Sequence, residues 1–146
     1  SALAIDARST SLQVASALDI NGDEAELVAR LRYLGAQGDL AATELGYADA
    51  VAGLLAHASP EVVAAAAEAL GNMGAVAAAR YIDSVAGALD SQSSKVRQSA
   101  AYALGQLGEA SKKHDNQLVA VIRRAGHGDD EEATKVIALQ ALGAIR

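Results

Sequence analysis

Few residues in this chain are placed by type and spacing to do chemistry. Asp19-Ile20-Asn21-Gly22-Asp23-Glu24 strings oxygen donors along one short segment, the ligand type that calcium takes. A helix–loop–helix calcium site needs glycine at loop position 6 and a bidentate acid at position 12. Counted from Asp19, the glycine falls at position 4 and Arg30 occupies position 12, so an interhelical turn is the expectation. The three histidines, His57, His114 and His127, fall at expected helix ends or loops, and none has an i, i+4 partner of the kind a zinc site uses. His127 stands between Gly126 and Gly128, next to the acidic run Asp129-Asp130-Glu131-Glu132. The chain has no cysteine, which removes disulfides and thiolate metal sites. Serines and carboxylates are plentiful, yet there is no nucleophile elbow and no glycine-rich phosphate loop. The Leu-Gly pairs imitate neither, because their glycine recurs in the same place in each unit. Packing and helix termination account for it. No catalytic residue, metal ligand or cofactor is expected, and the chain is read as not an enzyme.

The elements behind these residues follow from composition. Hydrophobic residues make up 51% of the 146, while Phe and Trp are absent and there is a single proline, Pro60. A core must therefore be built from Ala, Leu, Val and Ile, and alanine at this density favours helices at close range over sheet. Up to residue 72 there are ten acidic and three basic residues; from residue 73 there are eight and nine. An acidic chain of net charge −6 lacks the electrostatic footprint of phosphate-backbone binding, so nucleic acid is disfavoured. No window has the length and apolarity of a membrane span, and the N-terminus lacks the basic-then-apolar pattern of a signal peptide. An intracellular, cytoplasmic protein is expected. The absence of an initiator Met suggests an excised fragment.

Self-similarity organises the whole chain. Ala69-Leu70-Gly71-Asn72-Met73-Gly74 returns as Ala103-Leu104-Gly105-Gln106-Leu107-Gly108, a shift of 34. Weaker copies start at Tyr33 and Ala141, so the leucines 34, 70, 104 and 142 lie 36, 34 and 38 apart. Tyr47-Ala-Asp-Ala-Val-Ala-Gly-Leu-Leu55 matches Tyr81-Ile-Asp-Ser-Val-Ala-Gly-Ala-Leu89, again shifted by 34. Each unit reads as two helices. The first helices are expected over about 10–19, 46–57, 78–90 and 115–125, and the second over about 24–36, 60–73, 94–107 and 131–145. Ser59-Pro60-Glu61 is a helix start with Ser as N-cap and Pro at the first helical position. Val96, Ala100, Ala103, Leu104 and Leu107 share one face at 100° per residue, as do Val62, Ala66, Ala69, Leu70 and Met73 one unit earlier. One such pair cannot bury its apolar face alone, but stacked pairs can. The expected architecture is an all-α, right-handed α-solenoid of about four helix-pair repeats in a single domain over 1–146, with units at about 10–38, 46–74, 78–108 and 115–146.

Lys95-Val96-Arg97-Gln98-Ser99-Ala100-Ala101-Tyr102-Ala103-Leu104-Gly105 resembles the HEAT-repeat family, most closely its phycobilisome-lyase-like subgroup, through the Val-Arg…Ala-Leu-Gly pattern. The resemblance is sharp over 59–108. Members of the family commonly carry an Asp five residues before the Val, pairing with the following Arg in a ladder. Here Asp90 is one residue too early for Arg97, and Val63 and Lys135 stand at the equivalents of that Arg. Armadillo repeats, which add a short third helix, are the runner-up; a unit of about 34 residues leaves little room for it.

The resemblance implies binding along the ridge of second helices, and there the candidate partner-binding residues are Glu61, Glu68, Lys95, Gln98, Tyr102 and Gln140. Tyr102 is the ridge's aromatic. It is either an interface anchor or a ring packed over the neighbouring alanine-rich helix. Glu26 and Arg30 replace apolar residues in the first unit and suggest a polar cap, Glu preceding Arg by four. The last helix has Val136, Ile137 and Leu139 around it, a candidate self-association surface, most simply a two-fold homodimer through the C-terminal end. The expected function is a non-catalytic protein–protein interaction scaffold. The subgroup resemblance implies an alternative, an accessory or lyase-like protein acting on bilin-bearing partners. A DNA-repair fold built on similar repeats would need a basic ridge, which Glu61 and Glu68 oppose.

Overall fold

Alanine, the best helix former, fills the segments between the glycines. The computed structural model describes residues 23–36 and 47–145, and these fold into helices throughout. In chain order they are α1 (Glu24–Ala36), α2 (Tyr47–Gly53), α3 (Pro60–Met73), α4 (Ala75–Ala78), α5 (Ile82–Gly87), α6 (Ser94–Leu107), α7 (Asp115–Arg124) and α8 (Asp129–Ile145). The expected helix at 10–19 lies outside the described residues. The second helices α1, α3 and α6 have the expected bounds, and α8 starts two residues earlier than expected. Its acidic first turn, Asp129 to Glu132, is thereby placed against the positive end of the helix dipole.

The first helices differ from expectation. Instead of continuous runs over 46–57 and 78–90, α2 tightens into a 3-10 turn at Leu54–Ala56, and α5 is flanked by 3-10 turns at Ala79–Tyr81 and Ala88–Asp90. The tightening after Gly53 and after Gly87 occurs at positions 34 apart. Glycine is a poor helix former, so the turn narrows there and carries Leu54 and Leu89 into the core.

Helices α1, α3, α6 and α8 pack side by side in chain order, and α2, α5 and α7 form a second layer, each against the row helix that follows it. Ten long-range hydrogen bonds involving side chains connect the described residues, and each spans 30 to 36 residues. Ser59 Oγ donates to Glu24 Oε1 at 2.6 Å and Arg97 Nη2 to Glu131 Oε1 at 2.9 Å. This is the signature of a linear array in which each unit touches the next. The row is an α-solenoid.

What lets the helices approach is a repeated notch. A Cβ on Gly35 would lie 3.1 Å from Ala69 Cα, one on Gly71 2.6 Å from Ala103 Cα, and one on Gly105 3.0 Å from Ala141 Cα. The glycines of three Leu-Gly pairs, Gly35, Gly71 and Gly105, thus each receive an alanine of the next row helix. The expectation of helix termination holds only for Gly74 and Gly108, whose φ angles of 93° and 61° end α3 and α6. An alanine core gains little transfer energy per residue, about 0.8 kcal/mol per CH2. It compensates by bringing backbones close, where dispersion contacts multiply.

Leu70 and Leu104 are fully buried, as expected. Leu142 is half-buried, because among the described residues α8 is packed by α6 and α7 but has no further row helix. The side chain of Leu34 lies outside the described residues. Ser59 occupies the N-cap position of α3, but its hydroxyl makes no cap bond and reaches Glu24 instead. Its counterpart Ser93 does cap α6, accepting from Val96 N–H at 3.4 Å.

Candidate functional site

On an α-helix, residues seven apart share a face. That rule carries Glu61 and Glu68 on α3, and Lys95 and Tyr102 on α6, to the same side of the row. Glu68, Lys95, Gln98, Ser99, Tyr102 and, from α8, Ile137 line one groove of about 260 Å³. Tyr102 and Ile137 also line its continuation of about 150 Å³, with Gln106, Gln140 and Ala144. Five of the six expected ridge residues therefore line these two hollows. The sixth, Glu61, is joined to them by an ion pair with Lys95. Of the residues expected on the self-association surface, Ile137 also lines the groove beside Tyr102, and Val136 and Leu139 are exposed elsewhere on α8.

Tyr102 is 37% exposed, and its hydroxyl donates to Asn72 Oδ1 on α3 at 2.9 Å. The hydroxyl is thus tied to the neighbouring helix while part of the ring stays exposed on the groove. Gln98 is committed to holding α6 and α8 together. Its Nε2 donates to Asp130 O at 3.0 Å and Thr134 Oγ1 at 3.1 Å. Asn72 and Gln106 escaped the sequence reading. The signal was there, since each lies four residues after a ridge residue, Glu68 and Tyr102. The groove is mixed in character: an apolar centre, the neutralised Glu61–Lys95 pair, and Glu68 as an acid at its edge.

A larger cleft, about 450 Å³, opens between the turns at His57–Pro60 and Ser84–Ser91. Its polar groups serve the fold. His57 Nδ1 accepts from Ser59 N–H at 2.9 Å, and Ser91 Oγ, 34 residues on, accepts from Ser93 N–H at 3.1 Å. The pair of bonds marks this cleft as the seam between units, repeated with the repeat.

The other candidate ligands are dispersed. Asp23 Oδ1 accepts from Ala25 N–H at 3.1 Å and starts α1; Asp19 to Gly22 lie outside the described residues. His127 is exposed in the loop before α8. Among the described residues no three His, Asp or Glu side chains converge on a metal position. The expected Asp90–Arg97 distance problem is resolved by a change of partners. Asp90 pairs with Arg124 at 3.3 Å, and Arg97 with Glu131 and with Ser91 O at 2.7 Å. Glu26 and Arg30 pair at 2.6 Å, as their spacing implies.

The Asp83 carboxylate is tuned by two cationic neighbours. The Lys113 ammonium, 2.7 Å away, and the His114 ring, 2.9 Å away, hold its carboxyl below the usual aspartate range. A depressed pKa contributes stability that is present above the ordinary aspartate pKa and is lost as pH falls through the folded value. Carbon-detected NMR titration should place the Asp83 midpoint below that of an unpaired aspartate, and Lys113→Ala should raise it. Because Asp83 is exposed, added salt should shrink the difference.

Residues 82–111, spanning α5, α6 and the turn after it, match the family model of the HEAT repeat. That segment is similar to a HEAT repeat. It contains Lys95, Gln98 and Tyr102, so the centre of the groove falls within the matched segment. HEAT repeats are generally protein–protein interaction scaffolds rather than catalysts. None of the curated proteins compared with the chain matches it. No helix among the described residues is long and apolar enough to cross a membrane.

Proposed function

We propose that the chain is a non-catalytic interaction scaffold, a single right-handed array of about four HEAT-like units, that binds a protein segment along the Tyr102 groove. The observation that carries this reading is the pose of Tyr102: hydroxyl tied to Asn72, ring open to a groove floored by Ile137. A tyrosine held in one rotamer before binding loses little entropy on binding, which suits it to be an anchor. The lining selects its ligand. An apolar side chain fits against Tyr102 and Ile137, and a basic one beside it meets Glu68. The lyase-like alternative rests on the subgroup resemblance alone. A homodimer through α8 is a competing use of the C-terminal face and no part of this function.

Peptides selected from a displayed random library on the immobilised chain should share that apolar–basic pair. Tyr102→Ala should weaken them by at least about 10-fold, the scale of an interface hot spot, with the melting temperature nearly unchanged. A sharp fall in stability with binding per folded molecule intact would show that the ring serves packing alone.

A further inference from the structure

Two successive seams of the row share a backbone and differ in what fills them. His57 and Ser91 leave their 3-10 turns at φ/ψ of −64°/149° and −60°/146°. Ser59 and Ser93 enter the helices that follow at −82°/123° and −81°/122°. The carbonyls of Leu55 and His57 in the first seam therefore stand as those of Leu89 and Ser91 do in the second.

In the second seam guanidinium groups meet those carbonyls. Arg97 Nη1 donates to Ser91 O at 2.7 Å, while its Nη2 holds Glu131 Oε1 at 2.9 Å. Arg124 Nη2 donates to Leu89 O at 3.4 Å and to Asp90 Oδ1 at 3.3 Å. The hollow left there is about 190 Å³. In the first seam Val63 takes the position of Arg97, Asp90 that of Arg124 and Gly87 that of Val121. Neither valine nor a carboxylate has a proton to donate. The acceptors that two arginines satisfy in the second seam thus face a cleft of about 450 Å³ in the first. His57 Nδ1 and Ser91 Oγ are taken up by backbone N–H groups, and Arg124 occupies only Oδ1 of Asp90.

We propose that this first seam receives an arginine side chain of a partner protein. The guanidinium enters beside Val63, donates to His57 O and Leu55 O as Arg97 and Arg124 do one unit on, and faces the Asp90 carboxylate. A planar fork of five N–H donors suits two carbonyls and a carboxylate better than the point charge of a lysine does. Leu55, Pro60, Val63 and Val96 line the cleft and fit the aliphatic stem. The neighbouring cations do not compete, since Arg97 is held by Glu131 and Ser91 O, and Arg124 by Asp90 and Leu89 O. The lining contains no lysine or arginine to take the α-carboxylate of a free amino acid, so the arginine is one set within a peptide chain. The cleft shares no lining residue with the Tyr102 groove and is a separate point of recognition.

The test titrates N-acetyl-arginine methylamide into the full chain and follows the amide signals. Those of His57, Ala58, Ser84, Asp90 and Ser91 should move. The citrulline compound, of the same shape but uncharged, should bind at least about 10-fold more weakly, and the lysine compound about 3-fold. Val63→Arg supplies the guanidinium from the chain itself, as Arg97 does in the second seam, and should abolish the shifts with the helical circular dichroism retained. Asp90→Asn, at an exposed site, should weaken the probe about 2- to 5-fold; if Val63→Arg does not fold, unchanged affinity in Asp90→Asn overturns the proposal. Equal binding of the arginine and citrulline compounds, shifts centred on Glu68 and Tyr102, binding that survives Val63→Arg, or no shift at millimolar probe would also overturn it. So would tighter binding of free arginine than of the capped compound, because the ligand would then be the amino acid. Tyr102→Ala should leave the arginine probe unaffected, so failure of the groove reading and failure of this one are told apart.

Discussion

Gly71→Ala should destabilise the chain although the same change normally strengthens a helix. In a helix interior, alanine is favoured over glycine by about 0.5–1 kcal/mol. At position 71 the new methyl would lie 2.6 Å from Ala103 Cα and 2.9 Å from its Cβ. Those atoms cannot rotate aside, so α3 and α6 must separate along their shared alanine face. Overpacking of this kind costs about 1–3 kcal/mol; contact with backbone at 2.6 Å puts Gly71→Ala toward the upper end, for a net loss of up to about 2.5 kcal/mol after the helix gain. Gly143→Ala reverses the sign, because its methyl meets nothing; a gain of up to about 1 kcal/mol is expected. Urea unfolding of the two variants gives a paired comparison. Stabilisation by Gly71→Ala would show that the row helices do not approach at this distance.

Leu104→Ala carries the largest expected loss. The side chain is fully buried in the middle of the row, and truncation of a buried leucine leaves a cavity worth about 2–5 kcal/mol. For a chain of this size that lowers the melting temperature by roughly 6–16 °C. Leu142→Ala, at the equivalent but half-buried position, should cost clearly less. A loss at Leu104 below about 0.5 kcal/mol, as at a surface site, would mean that the core face is misassigned.

The helices of the row were legible because their signals are local. Ser59-Pro60-Glu61 starts α3, Gly74 and Gly108 stop α3 and α6, and the 3.6-residue period of Val96, Ala100, Ala103 and Leu107 sets the buried face. The breaks in the first helices were not, since Gly53 and Gly87 look tolerable inside a helix until the leucines beyond them must turn inward. The notch glycines were visible as a recurrence, but not as contacts. Their reason lies across some 32–36 residues, in the alanine of the next helix. Ser59 shows the same limit: the sequence marks a cap, and only the fold brings Glu24 within reach of its hydroxyl. The ridge opposite the buried face named Glu68, Lys95, Gln98 and Tyr102, which the fold gathers along one groove. The place of Ile137 beside Tyr102 was not legible, because α8 is apolar on nearly every side and periodicity alone assigns it no inward face.

The uniform 30–36-residue reach of the polar bonds has a consequence for how the chain comes together. No bond among them waits on the two ends of the chain meeting, so the entropy of loop closure is met in short, equal instalments. The α3–α6 pair, flanked on both sides, forms the most protected stretch, and neighbouring units add to it one at a time. Amide hydrogen exchange should then slow toward the middle of the row and quicken stepwise toward α8, whose outer face is open. Release of α8 would take Ile137 and Gln140 with it, so the groove at Tyr102 is complete only while that helix is seated.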